Sequence, residues 1–414
     1  MVLTAQYYIG TAEKDSPGRK GERMDVVVRE VESRRDVRRW IGFPYSLYDR
    51  GQYPQWVPPL RISTRDAIDR KRNPFYEQAD RALFLAERAG RVVGRIAAIE
   101  NRAHTRFHDD RVGFFGFFEC VDDQDTARAL FAAAAAWLAS RGLTSMRGPM
   151  NPSTNYECGL LVDGFEERPT FMTSWNPPYY DALCTNAGLA QSKDLLAFWF
   201  SYKLHEYRMP GFIFRLAERA VNKGRVVFRN MDPSRSDAEA EACWEIYNSA
   251  WEANWGFIPL SRGEFLHMAR EMKQLADQRF AYMAEVDGKP AGFMLALPDY
   301  NDILQHNRSG RLLPFGAIRL WLGKGRPMRL RVMALGVKPE YRSRSILALF
   351  TQEIYLRGQR AGGSGAEASW LLEDNVKIVK PMRDMGARES KRWRVYEAAV
   401  AAIGGPLPLE RPSS

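Results

Sequence analysis

Two short stretches of this chain hold residue types from which a reaction site is built. The first, Gly148-Pro-Met-Asn-Pro-Ser-Thr-Asn-Tyr-Glu157-Cys-Gly-Leu-Leu-Val-Asp-Gly-Phe165, is its densest cluster of turn-forming and polar residues. Asn151, Asn155 and Glu157 offer two amides that orient hydrogen bonds and a carboxylate that takes a proton. Asn and Ser side chains in such loops also satisfy their own turns, and that plain role stands beside the chemical one. The second stretch, Val337-Lys-Pro-Glu-Tyr-Arg342-Ser-Arg-Ser345-Ile-Leu-Ala348, joins an apolar strand to an apolar helix start. A turn that aims backbone N–H groups and a helix dipole at one point binds an anion. The plain alternative is a surface turn with solvated arginines.

Other constellations are set aside. His104-Thr-Arg-Phe-His108 has i, i+4 spacing but lacks the Glu of a zinc helix and a third ligand, so no metal is expected. Neither a Ser-His-Asp set nor a Gly-x-Ser-x-Gly motif points to a hydrolase. Gly362-Gly-Ser-Gly365 precedes a strand and reads as a flexible connection. Cys120, Cys158, Cys184 and Cys243 lie far apart with no C-x-x-C, which argues against a disulfide scaffold and for a reducing compartment.

The elements that position these stretches come in two copies. Phe84–Ile99 aligns without a gap with Tyr282–Leu297 at an offset of 198 residues, with Ala86/Ala284, Glu87/Glu285, Gly90/Gly288, Gly94/Gly292 and Ala98/Ala296 coinciding. Each copy reads strand, tight turn at Ala-Gly or Asp-Gly, strand. That offset is too long for a solenoid and fits a duplicated domain. In the first unit the pattern predicts a strand over 25–31, a helix over 34–48, the hairpin over 81–100, a buried strand over 111–120, a helix over 122–141, a helix over 179–187 and a closing strand over 194–202. In the second it predicts a strand over 225–230, helices over 237–251 and 261–275, the hairpin over 279–297, a central strand over 330–337 and a helix over 343–361. A strand over 366–372, a helix over 375–385 and a strand over 391–398 finish that unit. A mixed sheet with helices on both faces is expected twice over.

With 414 residues, 45% of them hydrophobic, the chain can build two cores. The start Met1-Val-Leu-Thr-Ala-Gln lacks a basic region followed by an apolar run, and no apolar run is long enough to span a bilayer. The net charge of +10 is concentrated: Arg208–Arg229 and Arg311–Arg331 each hold six basic residues, with one acidic residue in the first and none in the second. A nucleic-acid binder shows a broader basic face, so no nucleic acid is expected. Basic residues beside Phe315, Ile318, Leu320 and Trp321 describe a segment lying on an anionic membrane surface. Arginine stems covering a core would give the same composition.

The order strand, helix, helix, hairpin, central strand, basic turn, helix, strand, helix, strand resembles that of the GNAT acyltransferase superfamily, best over the second unit. The resemblance implies an α/β fold of two tandem GNAT-like acyl-CoA N-acyltransferase domains: a polar tail (1–24), a first domain with a degenerate CoA turn (25–204), a basic amphipathic connector (205–224), a second domain (225–400) with a basic-apolar insertion (301–328), and a C-terminal tail (401–414). It implies that Ala334, Leu335, Gly336 and Val337 meet the pantetheine arm, and that Arg342, Ser343, Arg344 and Ser345 meet the pyrophosphate; the family's glycine is here Ser345. The corresponding first-unit turn, Val121-Asp-Asp-Gln-Asp-Thr126, is acidic and would repel phosphate.

The loop from Gly148, with Met172-Thr-Ser-Trp-Asn-Pro-Pro-Tyr-Tyr180, resembles tandem GNAT proteins of bacterial lipid metabolism, among them bacterial ceramide synthases. On that resemblance the expected chemistry is transfer of a long-chain acyl group from acyl-CoA, or an acyl carrier protein, to a long-chain amine such as a sphingoid base. Glu157 and Glu373 are the candidate bases, and Asn155 is a candidate catalytic group that meets the amine. Asn151, Tyr156, Trp175 and Asn176 are candidate substrate contacts. The family's tyrosine acid falls on Cys184 and Met382, neither of which can act as one, which leaves Tyr156, Tyr180 or Tyr396. The rival readings are an aminoacyl-type or small-molecule GNAT transferase and a non-catalytic CoA- or lipid-binding module. The expected location is cytoplasmic, peripheral on the membrane through 311–331. If that segment lies on anionic lipid, vesicle binding falls as salt rises, because each surface charge contributes about 1 kcal/mol that ions screen. Replacing Leu320 and Trp321 together by Ser should weaken vesicle binding with the fold intact; retained binding would return the segment to the plain reading.

Overall fold

The protein is described by a computed structural model covering residues 25–312 and 329–403. The tails expected at 1–24 and 404–414 and the core of the basic insertion, 313–328, lie outside the described residues, and so does the membrane contact assigned to that insertion.

The first unit supplies β1 (Val27–Glu30), β2 (Ala79–Arg88), β3 (Arg91–Asn101), β4 (Val112–Cys120), β5 (Ser145–Gly148), β6 (Met150–Asn151), β7 (Glu157–Cys158), β8 (Leu160–Asp163) and β9 (Ala190–Ser201). The second supplies β10 (Val226–Asn230), β11 (Ala281–Val286), β12 (Lys289–Pro298), β13 (Leu330–Val337), β14 (Gly365–Leu372) and β15 (Arg388–Ala399). Both hairpins turn where sequence places them, at Ala89-Gly90 and Asp287-Gly288, all four with positive φ. That geometry matches the twist of the flanking strands.

The two sheets expected from the repeat are one. Thirteen strands join in the order β1-β2-β3-β4-β5-β15-β9-β14-β13-β12-β11-β10, with β8 beside β15, and β6 and β7 form a separate ribbon. The closing strands are exchanged between the units: β15 lies between β5 and β9 of the first, and β9 between β15 and β14 of the second. In β9, Leu195 to Phe198 are buried in succession and Phe200 after them. Such a run demands cover on both faces, and its backbone demands a partner along both edges.

Helix starts depart from expectation where the backbone is special. The helix expected over 34–48 is two, Arg34–Gly42 and Pro44–Leu47, because Pro44 opens a new helix. The helix expected from residue 343 begins at Ile346, since Pro339–Arg344 winds as a 3-10 turn and Ser345 takes a left-handed conformation at φ 58°. The connector carries the Gly211–Asn222 helix, whose Ile213, Ala217 and Ala220 are buried in the second-unit core with Leu349, Phe350 and Ile354. Its arginines therefore border a packed face, which is the plain reading of that segment.

A buried ion pair fixes the crossover. Lys391 Nζ on β15 lies 2.6 Å from Glu367 Oε2 on β14, both side chains 1% exposed. The other Glu367 oxygen accepts from Thr170 Oγ1 at 2.7 Å and Ser369 Oγ at 2.9 Å. Burial alone would push the Glu367 carboxyl up, but the Lys391 charge and these hydrogen bonds hold it below its usual value. Removing one partner strands the other charge in the interior. Glu367→Ala is therefore expected to cost about 3–5 kcal/mol in urea denaturation, with much of that recovered when Lys391→Met is added.

Candidate active site

The site lies where β13 and β14 part. They pair only through Leu330↔Ala366, Arg331↔Glu367 and Val332↔Ala368, then diverge. Opposite β12 the register of β13 also shifts, between Leu295 and Ala296. A cavity of about 550 Å³ fills the opening. Ala334 and Leu335 form one wall and Trp370 and Leu371 another, and Leu347, in the first turn of the Ile346–Arg360 helix, reaches its edge. The Ser236–Trp251 and Arg262–Leu275 helices close the far side, and the first-unit loop at Asn155 and Tyr156 completes it. The cavity is thus built from both units, and most of its wall is apolar.

Polar groups meet it in few places. Tyr247 donates its hydroxyl to Asn155 Oδ1 at 2.7 Å, a bond between the units. The Tyr156 hydroxyl lies 3.2 Å from Asn73 Oδ1 and beside the Glu264 carboxyl. Glu264 stands behind Tyr156 and is not itself a wall residue; burial pushes it up to about 7, with Tyr156 pulling down and the charge of Glu77 pushing up, and its Oε1 has no hydrogen-bond partner. Arg331 is fully buried at the base, donating to the carbonyls of Phe171 and Met172 at 2.8 and 2.7 Å, and burial lowers it to about 10.

The two units treat the same architectural opening oppositely. In the first, Asp123 caps the Gln124–Ala139 helix, accepting from Thr126 N at 2.9 Å and from Arg88 at 2.7 Å. A carboxylate of the chain already occupies the anion position. Beside β4, the Met150 carbonyl oxygen sits 1.7 Å from where a Cβ on Gly116 would be, so that strand tolerates only glycine there. Asn151 Oδ1 accepts from Phe117 N at 2.6 Å, at a residue with φ 50°. The first opening is filled by its own chain. In the second unit no side chain caps the Ile346–Arg360 helix, and Ser345 supplies the left-handed turn that glycine would.

The residues singled out from sequence therefore separate. Asn155, Tyr156, Ala334 and Leu335 meet at the cavity. Gly336 and Val337 pair with Phe293 and Gly292 behind it, and Gly336 packs against Trp251. Arg342 and Arg344 donate to the carbonyls of Ala250 and Gly224, anchoring the turn that holds Ser343 and Ser345. Glu157 is not a wall residue: its neighbour Cys158 lines the cavity, while its own carboxyl lies near Arg331 and Asn151, raised by burial. Glu373 is a correction, since its Oε1 accepts from Asp194 N at 3.0 Å and ties down β9. Asn176 is another, bonded through both ends of its amide to the Leu161 backbone. Asn151, on β6, likewise serves a backbone group, that of Phe117 on β4. Tyr180 is buried in the first unit, donating to Glu119 at 2.8 Å, and Trp175 packs on Tyr48 and Tyr53 there. Tyr396, on β15 of the second unit, donates to Asp181 of the first, away from the cavity. Cys184 is buried there, whereas Met382 lines the cavity. Sequence reasoning missed Glu264 because it reads as a first-turn helix residue, the fourth position of a Ser261-x-x-Glu264 capping pattern.

A chain that joins two such units, one opening filled and one free, has the plan of a tandem acyltransferase. Among solved structures it is similar to a tandem GNAT protein from the clavulanic acid biosynthesis pathway, with TM-score 0.51 and 13% identity, covering 93% of this chain and 100% of that one. It is also similar to a GCN5-related N-acetyltransferase from Sphaerobacter thermophilus, with TM-score 0.50 and 12% identity, covering 91% and 96%. The fold is thus the tandem GNAT fold. No protein-family model matches the chain. In sequence it is 36% identical over 386 residues to the bacterial ceramide synthase of Caulobacter vibrioides, covering 91% of this chain and 98% of that protein. It is 34% identical over 381 residues to protein YghO of Escherichia coli, covering 90% and 95%. The chain belongs to the bacterial ceramide synthase family and is an N-acyltransferase. Among the described residues no helix is long and apolar enough to cross a membrane.

Glu264 gives a direct test of the site's electrostatics. Its folded value lies near 7, above its ordinary 4.5. Folding therefore favours its protonated form, and the protein loses stability as pH rises from the lower value through the higher. Glu264→Gln, which cannot ionise, should raise Tm relative to the native chain at pH above 7 and by much less at pH near 5. An equal shift at both would show that its carboxyl is not held in this state.

Proposed function

We propose that the chain N-acylates a long-chain amine, a sphingoid base first, using a long-chain acyl-CoA as donor. The observation that carries this reading is the opening between β13 and β14, which leads from an uncapped helix start into a large apolar cavity. The thioester arm runs along Ala334 and Leu335, where β13 has no partner strand on that side, and the pyrophosphate meets the Ile346–Arg360 helix at Ser345. Chain-like substrates suit an apolar wall, where each buried methylene contributes about 0.8 kcal/mol. The Caulobacter relative is named for making ceramide, an N-acylated sphingoid base, and this supports the same acceptor here.

In the reaction the amine nitrogen attacks the thioester carbonyl, the carbon–sulfur bond breaks, and the thiolate leaves as a thiol with the proton that the nitrogen sheds on becoming an amide. The incoming ammonium must first lose a proton. Tyr156 takes that proton as it passes its own to Glu264, whose carboxylate form grows as pH rises through about 7. Asn155, oriented by Tyr247, holds the acceptor's polar head. Glu157 keeps its place in the proposal as the group that sets the field at Arg331, not as the base. Membrane attachment through 311–331 would deliver both lipid substrates to this cavity.

The test is to supply palmitoyl-CoA and sphinganine and to measure the amide by mass spectrometry. Ser345→Asp places a carboxylate against the pyrophosphate and should weaken CoA binding about tenfold or more in calorimetric titration. Ser345→Gly, which suits φ 58°, should retain it. Equal CoA affinity in Ser345→Asp and the native chain would remove the donor from this turn. Absence of any amide across acyl donors and amines would remove the reading itself.

A further inference from the structure

The cavity is longer than the reaction needs. Its wall follows one stripe of the Ser236–Trp251 helix, Ser236, Ala240, Cys243, Tyr247 and Trp251, from the first turn to the last. That 16-residue helix is about 24 Å long. The reacting end lies at Trp251, beside Gly336 of β13 and near Asn155. The other end runs between this helix and the Arg262–Leu275 helix, where Met268, Ala269 and Met272 face it. At the far limit, where the cavity meets the surface and Asp237 and Arg270 also line it, the exposed Lys273 Nζ donates to Ser236 Oγ at 2.9 Å. An acetyl-sized group would leave this branch empty. The small Ala240, one turn into the first helix, and Ala269, midway along the second, keep it open, and flexible methionines adapt its bore.

Resting on the N-acyl-transfer reading, we propose that the branch between these helices is an alkyl-chain subsite. Its depth is set by Ala240 and Ala269, and it ends at the Lys273–Ser236 pair. The occupant is a hydrocarbon chain, belonging to either the acyl donor or the amine. A chain lying there displaces water from an apolar wall, and its terminal methyl stops where the wall turns polar and meets solvent at the exposed Lys273–Ser236 pair. A phenyl ring at either alanine fills the branch and excludes chains that reach past it.

Ala269→Phe and Ala240→Phe are tested with octanoyl- to stearoyl-CoA against one amine, then with short- to long-chain amines against one donor. The expected result is a loss of about tenfold or more in kcat/KM for the longest chains, with the shortest retained, in one series only. A shift in the donor series assigns the branch to the acyl chain, and a shift in the amine series assigns it to the acceptor. An unchanged length profile in both series overturns the subsite. Displacement of a fluorescent fatty acid, cis-parinarate, supplies a readout that needs no turnover. The native chain should bind it, and the Phe variants should bind about tenfold less tightly. Equal binding in all three chains overturns the subsite as well. Amide formation without a change in length profile therefore counts against the branch alone, while chain binding without amide counts against the transfer reaction alone. If a Phe variant does not fold, Ala269→Leu, a smaller intrusion, should move the preferred length by fewer carbons in the same direction.

Discussion

The fold depends on a buried charge pair at the crossing of two strands. Lys391 on β15 and Glu367 on β14 face each other across β9, out of water, with Thr170 and Ser369 satisfying the remaining carboxylate oxygen. A pair buried this deeply is tolerated only when its hydrogen bonds are complete. It therefore fixes the register in which strands from the two halves interleave. Because β9 and β15 are each flanked by a strand of the other half, neither half retains its full set of neighbours alone. Arg331 extends the arrangement to the cavity floor, bonding Ser369 and the carbonyls of Phe171 and Met172. The rigid base of the site is thus continuous with the crossover.

The duplicated architecture is used asymmetrically. A GNAT-like unit has two features that bind a donor: the gap beside its central strand and the open helix start after it. The first unit satisfies both from within, using Met150 and Asn151 at the gap and Asp123 at the helix. Its polar residues then serve as wall for the neighbouring unit. Thr154 bonds the carbonyl of Gly256 and Asn155 accepts from Tyr247, so the loop is anchored to the half that it covers. One unit can lose donor binding without loss to the whole, because its backbone groups find partners in the chain itself.

Part of the candidate site was legible in sequence. Asn155 and Tyr156 stand out as polar residues in a turn-rich loop, and Ala334 and Leu335 as part of a strand that runs into a basic turn. Glu373 and Asn176 were misjudged for one reason: both are polar residues at an element's end, and only coordinates show that a nearby backbone N–H already claims each of them. Glu264 was invisible for the opposite reason. Its sequence context is an ordinary helix first turn, and its raised proton affinity comes from burial beside Tyr156, a residue more than a hundred positions away.

Local rules sufficed for the repeat, both hairpins, the length of the central strand β13 and the acidic character of the first-unit turn. Each rests on residues adjacent in the chain: the Ala-Gly and Asp-Gly turns, the apolar run from Leu330 and the carboxylates after Val121. Sequence alone left open which strand neighbours which. Nothing in the composition of β9 says whether its two edges are taken by its own half or by the other, since an apolar strand pairs with either. The cavity followed from that choice. Its walls come from segments between Thr154 and Met382, and its shape is set by where β13 and β14 stop pairing. Separation of two strands is a property of their packing, which no stretch of neighbouring residues encodes.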